Sequence, residues 1–532
     1  MKNKKIDILA FFAVFMISFS SCSDFLDEMP KSSLTTQQVF TNLEILEPTV
    51  DGLYTSYRDA KAGRAGLVFT MLGLDETKQG IVQMTDASQS GLDYYDGMLN
   101  ATSSQIAEMW GRRWPTVNTA ARCIRGLEQL SQTETNETVQ GRIKLLRANA
   151  CFMRAMSMFE LAMYWGEVPV VEIEDLDETD IDMSRKPLSI VWKQIFDDLT
   201  YASENLDAGK QTGPRATRGA ALAMLGKLSL YAAAESGYRD YEKAIGYFEA
   251  LTDYGLETSY ATLFDEYGKV EFNSKESVYE IDYKCNSSGP NYWQWDMGSR
   301  TLANLGESCY IGGYDVALPT EYAHKMKSEG GVWEEGDLRR NVSIRFDFTY
   351  RGQAFTVPSW GADELDPHVK KWEDRRLDRF TPAAQATDAT SGRSFYWSGK
   401  NYMFVRYADI LLCYAECLNE RGRTDEAIGI VNQVRRRAWG GTLPADKAWS
   451  GLSQEQFRID IMDERIRELC FEGWRRMDLI RTGNFVKLIK ERNPWAKQKG
   501  AISDFHVRWP IPESEIKNNP YMEMEKDQNS GY

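Results

Sequence analysis

Residues 404–438 read FVRYADILLCYAECLNERGRTDEAIGIVNQVRRRA, and the pattern inside this helix pair decides the fold. Tyr414 and Ala415 set a large residue beside a small one. Ala427 follows thirteen residues after Tyr414, and Val431 and Val434 lie four and seven beyond it. The same offsets recur upstream at Tyr231, Ala232, Ala244, Phe248 and Leu251.

A large-then-small pair with apolar residues at those distances is the tetratricopeptide pattern of a helix hairpin, repeated here twice. Small residues let paired helices approach, and the large ones fill the space between hairpins. Other segments keep helical spacing. Leu145, Phe152, Met156, Phe159 and Met163 mark a helix over 140–164 that Gly166 and Pro169 stop. Val191, Ile195 and Leu199 stripe a helix over 188–206, and the Ala/Leu-rich stretch 216–235 reads as a closely packed central helix. The fold class expected is therefore mainly α, a superhelix of tetratricopeptide-like hairpins.

Between the hairpins the composition shifts to Gly, Asn, Ser, Trp and Tyr, which reads as a loop-rich excursion with short strands and helices. Loops of such length in a compact protein are usually functional. No Gly/Ser-rich or charged linker separates the parts. The organisation expected is a leader over 1–21, a tether over 22–45, a helical part over 46–255, the excursion over 256–400, and a helical part with an extended tail over 401–532.

At the start, Lys2, Lys4 and Lys5 precede an apolar run from Ile8 to Phe19, then Ser20, Ser21 and Cys22. This is a signal peptide, well short of the ~20 apolar residues of a spanning helix. Small residues before a cysteine suit cleavage ahead of a lipidated Cys22, so attachment to the membrane is expected through a lipid anchor only. Loss of residues 1–21 leaves 60 basic and 77 acidic side chains and moves the net charge from −15 to −17. That balance argues against nucleic acid and anionic headgroups as partners. Cys123, Cys151, Cys413, Cys417 and Cys470 fall in helix-like sequence and read as small buried apolar side chains.

Four blocks together resemble the SusD/RagB family, the lipoprotein half of starch-utilisation-type uptake systems. They are the run from Phe404 through Glu420 with Val431–Arg435; Asp463–Leu469 with Phe471–Arg475 and Asp478–Arg481; Trp509-Pro510-Ile511-Pro512 with Asn519-Pro520 and the closing residues; and Arg147-Ala148 with Phe159–Leu161, Tyr164–Pro169 and Arg215–Ala221. The resemblance implies a SusD-like fold and a glycan ligand. It also implies a SusC-like TonB-dependent outer-membrane barrel as partner, and an outer-membrane location facing the cell exterior. The acidic residues after Cys22, namely Asp24, Asp27 and Glu28, resemble the export signal of such lipoproteins. By themselves, the Arg/Glu ladder from 463 to 481 reads as structural, no more than exposed ion pairs worth a few tenths of a kcal/mol each, and Pro510 and Pro512 fix an extended segment lying along the helices.

Catalysis is not expected. His324, His368 and His506 are scattered, and no nucleophile elbow, dinucleotide fingerprint or phosphate loop is present. Acid pairs such as Asp75 with Glu76, or Glu334 and Glu335 near Asp337, are what a chain with this many carboxylates contains by chance. No cofactor is implied. Asp86 and the group Asp363, Glu364 and Asp366 offer oxygen ligands without EF-hand spacing, which leaves a metal open.

Binding has a positive signal. Tyr292, Trp293, Trp295, Tyr310 and Tyr314 crowd among loop-forming residues in the excursion, and Tyr94, Tyr95 and Asn100 form a second cluster. An aromatic face covers the apolar C–H face of a sugar while polar groups take its hydroxyls. Three rivals stand beside glycan capture: a protein-interaction scaffold built on the helices, a peptide-binding member of the same family, and a helical glycosidase.

Overall fold

The computed structural model describes residue 40 and residues 42–532 except 174–175, 177–180, 265–270, 285–287, 299–312, 347–348, 351–352, 355–366, 375–386, 389–392 and 395–396. Cys22 and the leader lie outside the described residues, as do Tyr310, Asp363, Glu364 and Asp366. Among the described residues no helix is long and apolar enough to cross a membrane.

Helices stack in chain order through most of the molecule. α1 (Leu43–Ala62), α2 (Trp114–Thr133), α3 (Glu137–Trp165), α4 (Leu188–Asn205), α5 (Arg218–Tyr231) and α6 (Tyr241–Glu249) each pack on the next. α6 then meets α7 (Tyr407–Glu420), which pairs with α8 (Thr424–Ala438) and with α9 (Gln454–Leu469), and α10 (Arg475–Arg481) follows. The side chain of Asn136 starts α3 by accepting from the amides of Thr138 and Val139. Gly166, at φ 83°, ends it in a conformation that a side chain resists.

α3 is the axis of the core: every residue from Ala148 to Trp165 is buried. α5 is buried nearly all round as well, and its small residues have the use expected of them. A Cβ at Gly226 would stand 2.4 Å from the Phe248 ring, and one at Gly219 would stand 2.2 Å from the Tyr254 hydroxyl. The five cysteines named above are all buried and unpaired.

The two hairpins are less alike than their matching offsets. α7 and α8 are separated by three residues, whereas α5 stops at Tyr231, and a short 3₁₀ turn, Ala234–Ser236, fills the longer connection to α6. The tail also differs from the extended segment expected. Short helices form at Glu513–Asn518 and Met524–Asp527, and the run between Trp509 and Pro512 lies against the end of α3. Trp509 N donates to Tyr164 O at 2.8 Å, the Trp165 indole donates to Pro510 O at 3.0 Å, and Asn529 Nδ2 donates to the carbonyls of Trp165 and Trp509.

Strands are short and serve as clasps. β1 (Thr77–Lys78) pairs antiparallel with β3 (Leu318–Pro319), and β2 (Ser277–Ile281) pairs antiparallel with β4 (Tyr402–Arg406). The second clasp brings both ends of the excursion together, so a long irregular segment is anchored at its base.

The Arg/Glu ladder requires a correction. It is not an exposed row of pairs: Glu464, Arg465, Arg467, Glu468, Arg475 and Asp478 are all buried. Arg339 bonds Asp337, Glu464 and Glu468; Arg435 bonds Glu464 and Glu334; Arg406 and Arg437 both reach Glu276 and Glu468; and Lys371 bonds Glu472. α9 is too polar for an apolar core helix, and the ladder instead pairs with cations and anions brought in from the excursion, from β4, α7 and α8, and from Asp75. Most of these buried charges have an opposite, which is the condition for tolerating them, while buried Arg476 instead donates to the His506 carbonyl and lies over Phe485 and Trp509.

Candidate functional site

The excursion's first loop folds back onto the end of α1. After Ala62 the backbone extends at Gly63 and enters a π-helical turn, Arg64–Val68, a form that occurs often at functional sites. Tyr292 N donates to Ala62 O at 3.3 Å and places the short helix Trp293–Asp296 beside this turn. The segment 313–316 then lies along it. Tyr314 N donates to Trp295 O at 2.9 Å and Val316 N to Asp296 O at 2.7 Å. The approach is so close that a Cβ at Gly313 would stand 2.3 Å from Trp295 O.

This places two rings and one ion pair on one surface, with Tyr292 at the start of the short helix that carries Trp295. Trp295 and Tyr314 meet edge to face at 5.2 Å and 84°. The Arg64 guanidinium lies 5.2 Å from the Tyr314 ring centre, and its Nε donates to Asp296 Oδ1 at 2.7 Å. Gln83 Nε2 holds the Tyr314 carbonyl at 2.6 Å. Tyr292 and Tyr314 are 38% and 39% exposed. Burial raises the Asp296 carboxyl, Arg64 draws it back, and the balance leaves it pushed up to about 6. Chemically the surface offers flat apolar faces with a fixed donor group beside them, which fits stacking on a ring and bonding to its hydroxyls.

Trp295 and Tyr314 are thus brought together, and Tyr292 caps the same short helix with its own side chain exposed. Trp293 is not with them. It is fully buried among Tyr283, Trp372 and Tyr402, at 5.2, 4.8 and 5.4 Å, because consecutive residues of a helix diverge and Tyr292 before it takes the outer side. Tyr95 is also corrected from surface to core. Its left-handed backbone turns the ring between Phe485 and His506, and its hydroxyl donates to Gly73 O at 2.8 Å.

Tyr94 is half-buried, edge-on to Trp495 at 6.1 Å with the Lys499 ammonium over it. Asn100 braces its own turn: its Oδ1 accepts from Thr102 N and its Nδ2 donates to Gly97 O. The segment 79–83 joins the two clusters, since Gln79 bonds Asp93 and Gln83 bonds Tyr314. Arg64, Gln83 and Asp296 are site residues that the sequence did not single out. Arg64 and Asp296 are 232 residues apart, and nothing local to either signals the other.

The acid pairs considered for hydrolysis have other occupations. Asp75 bonds Arg475 and Arg492, Asp337 bonds Arg339, and Glu334 bonds Arg435. Glu76 is fully buried and accepts from Phe471 N. Asp86 caps the helix Ala87–Tyr94. Among the described residues no group of three or more His, Cys, Asp or Glu side chains is placed to hold a metal ion.

Comparison with known proteins covers nearly the whole chain. Residues 257–532 match a family model described as the SusD family, and residues 24–230 match one described as starch-binding associating with outer membrane. The chain is 26% identical over 486 residues to SusD-like protein P2 of Formosa agariphila, covering 89% of this chain and 91% of that one. A SusD homologue from Bacteroides thetaiotaomicron has a TM-score of 0.74 at 20% identity, covering 93% and 98%. A laminarin-binding SusD-like protein has a TM-score of 0.69 at 21% identity, covering 92% and 100%.

Proposed function

The chain belongs to the SusD family, and from that premise we propose that it captures oligo- or polysaccharide at the cell surface on the surface formed by Arg64, Tyr292, Trp295 and Tyr314. On this reading Cys22 carries the lipid anchor, and the captured glycan passes to a SusC-like TonB-dependent barrel in the outer membrane. The observation that carries the binding role is the pair of half-buried Trp295 and exposed Tyr314 beside an arginine whose position is fixed by Asp296. Family membership supports it, since the amino-terminal match is described as starch-binding and outer-membrane-associated, and a structural neighbour is named for laminarin binding.

The protein holds its ligand without reacting with it. Supporting this, Asp75, Glu334 and Asp337 are each engaged by arginine, which denies them the role of a free acid or base. A ring covering roughly 50 Å² of sugar contributes on the order of 1 kcal/mol. Three rings plus hydrogen bonds, less ordering costs, give an affinity of about micromolar to millimolar. Weak binding suits a receptor that releases its cargo.

The test is affinity gel electrophoresis of the mature chain lacking Cys22 against plant, microbial and host polysaccharides, with Trp295→Ala and Tyr314→Ala beside it. Retardation by a polysaccharide that the variants lose, without sugar release, is the expected result. No retardation across the panel sinks the polysaccharide reading and shifts weight to peptide.

A further inference from the structure

We infer that the ligand surface selects uncharged sugars, because each arginine beside it among the described residues is already matched by a carboxylate. This deepens the proposed glycan-binding role and rests on it. Arg64, the only one of these arginines stacked on a site ring, bonds Asp296 and keeps 34% of its side chain exposed, while Asp296 keeps 4%. Arg58, one turn earlier on α1, pairs with Asp59 at 2.9 Å and donates to Ser288 O. Arg112, whose guanidinium lies 3.7 Å from the position of a Cβ on Gly63, pairs with Glu108 at 2.6 Å. Lys61 faces inward and pairs with Glu160.

An anionic sugar gains from a guanidinium only when its charge is unspent. Here Asp296 is 4% exposed and cannot turn away into solvent, so a uronate or sulfate placed at Arg64 would stand beside a buried carboxylate of its own sign. A neutral sugar meets no such conflict. Arg64 retains N–H groups for hydroxyl oxygens, and donors on a neutralised guanidinium still form directional bonds. The net charge of −17 on the mature chain, 60 basic against 77 acidic side chains, adds a long-range repulsion of polyanions.

Isothermal titration of the mature chain compares neutral gluco-, xylo- and manno-oligosaccharides with oligogalacturonate and alginate oligomers, at low and high salt. The expected outcome is binding of a neutral ligand with little salt dependence, and acidic ligands weaker by about tenfold or more. Asp296→Asn, nearly isosteric, leaves Arg64 uncompensated and is expected to admit acidic ligands in a salt-sensitive manner. Arg64→Gln is expected to weaken neutral binding without admitting them. An acidic ligand that binds the unaltered chain as tightly as any neutral one overturns the inference and leaves glycan binding standing. Binding of no sugar at all overturns both. Should Asp296→Asn not fold, the ligand comparison and its salt dependence on the unaltered chain decide the matter.

Discussion

Arg406 meets Glu468 twice, donating through Nη2 to its backbone carbonyl at 2.6 Å and through Nη1 to its carboxylate. One residue closes β4 and caps α7 while the other stands one position from the end of α9, so this contact joins the base of the excursion to the helical stack.

Glu468→Gln is therefore expected to destabilise the protein by roughly 3–5 kcal/mol, because it leaves Arg406, Arg437 and Arg339 short of a buried counter-charge. Burial alone would raise the Glu468 carboxyl, yet Arg437, Arg406 and Arg339 hold it well below the usual carboxylate range. A depressed folded value gives stability that is fully present above the unfolded value near 4.3 and is lost as pH falls through the folded one. Denaturant titrations at several pH values check both effects: the variant loses its deficit only in acid, and an equal deficit at all pH values would contradict the pairing.

Glu76 has the opposite sign. Burial pushes it up to about 8 against the pull of Arg475 and Lys371, with Asp75 adding to the rise and Phe471 N opposing it. A raised carboxyl favours the fold at low pH. Between its unfolded value and about 8 the fold loses about 1.4 kcal/mol per pH unit from this group. Glu76→Gln removes the titration, so its stability relative to the parent should rise steadily from pH 5 to pH 8. A flat difference across that range would refute the shift.

Trp293 and Trp295 should separate cleanly. Trp293→Ala removes a fully buried ring and is expected to cost about 3–5 kcal/mol in unfolding experiments. Trp295→Ala is expected to leave stability nearly unchanged and weaken glycan affinity by roughly fivefold, the loss of about 1 kcal/mol. The reverse assignment would move the site elsewhere.

Asn529→Ala strips partners from the carbonyls of Trp165 and Trp509 and from Arg185, whose Nη2 donates to the Asn529 side chain at 2.8 Å. The expected cost is about 1–3 kcal/mol. Hydrogen exchange at the end of α3 should rise with it; unchanged protection there would show that the tail does not hold this helix.

The helices were legible because apolar spacing is local. The span 140–164 marks α3 to within a few residues of its ends, and Gly166 stops it as expected. The excursion was legible by composition, and two of its aromatics, Trp295 and Tyr314, meet edge to face. The polarity of α9 was readable, but its burial was not. A row of Arg and Glu on a helix looks the same whether it faces water or a matching row, and here the match comes from distant parts of the chain, among them Asp75, Arg339, Arg406, Asp409 and Arg437. Trp293 and Tyr95 were misplaced for a related reason: a ring's side depends on one backbone angle, such as the φ of 53° at Tyr95, that composition does not encode. Arg64 and Asp296 escaped notice because the site exists only once distant segments meet.

The tie between the tail and α3 has a consequence in time. The Trp165 indole waits for Pro510, 345 residues later, and its carbonyl for Asn529, 364 residues later. Contacts this distant in sequence form slowly and demand nearly the whole chain. The central helix therefore takes up its final packing only once the tail has been made.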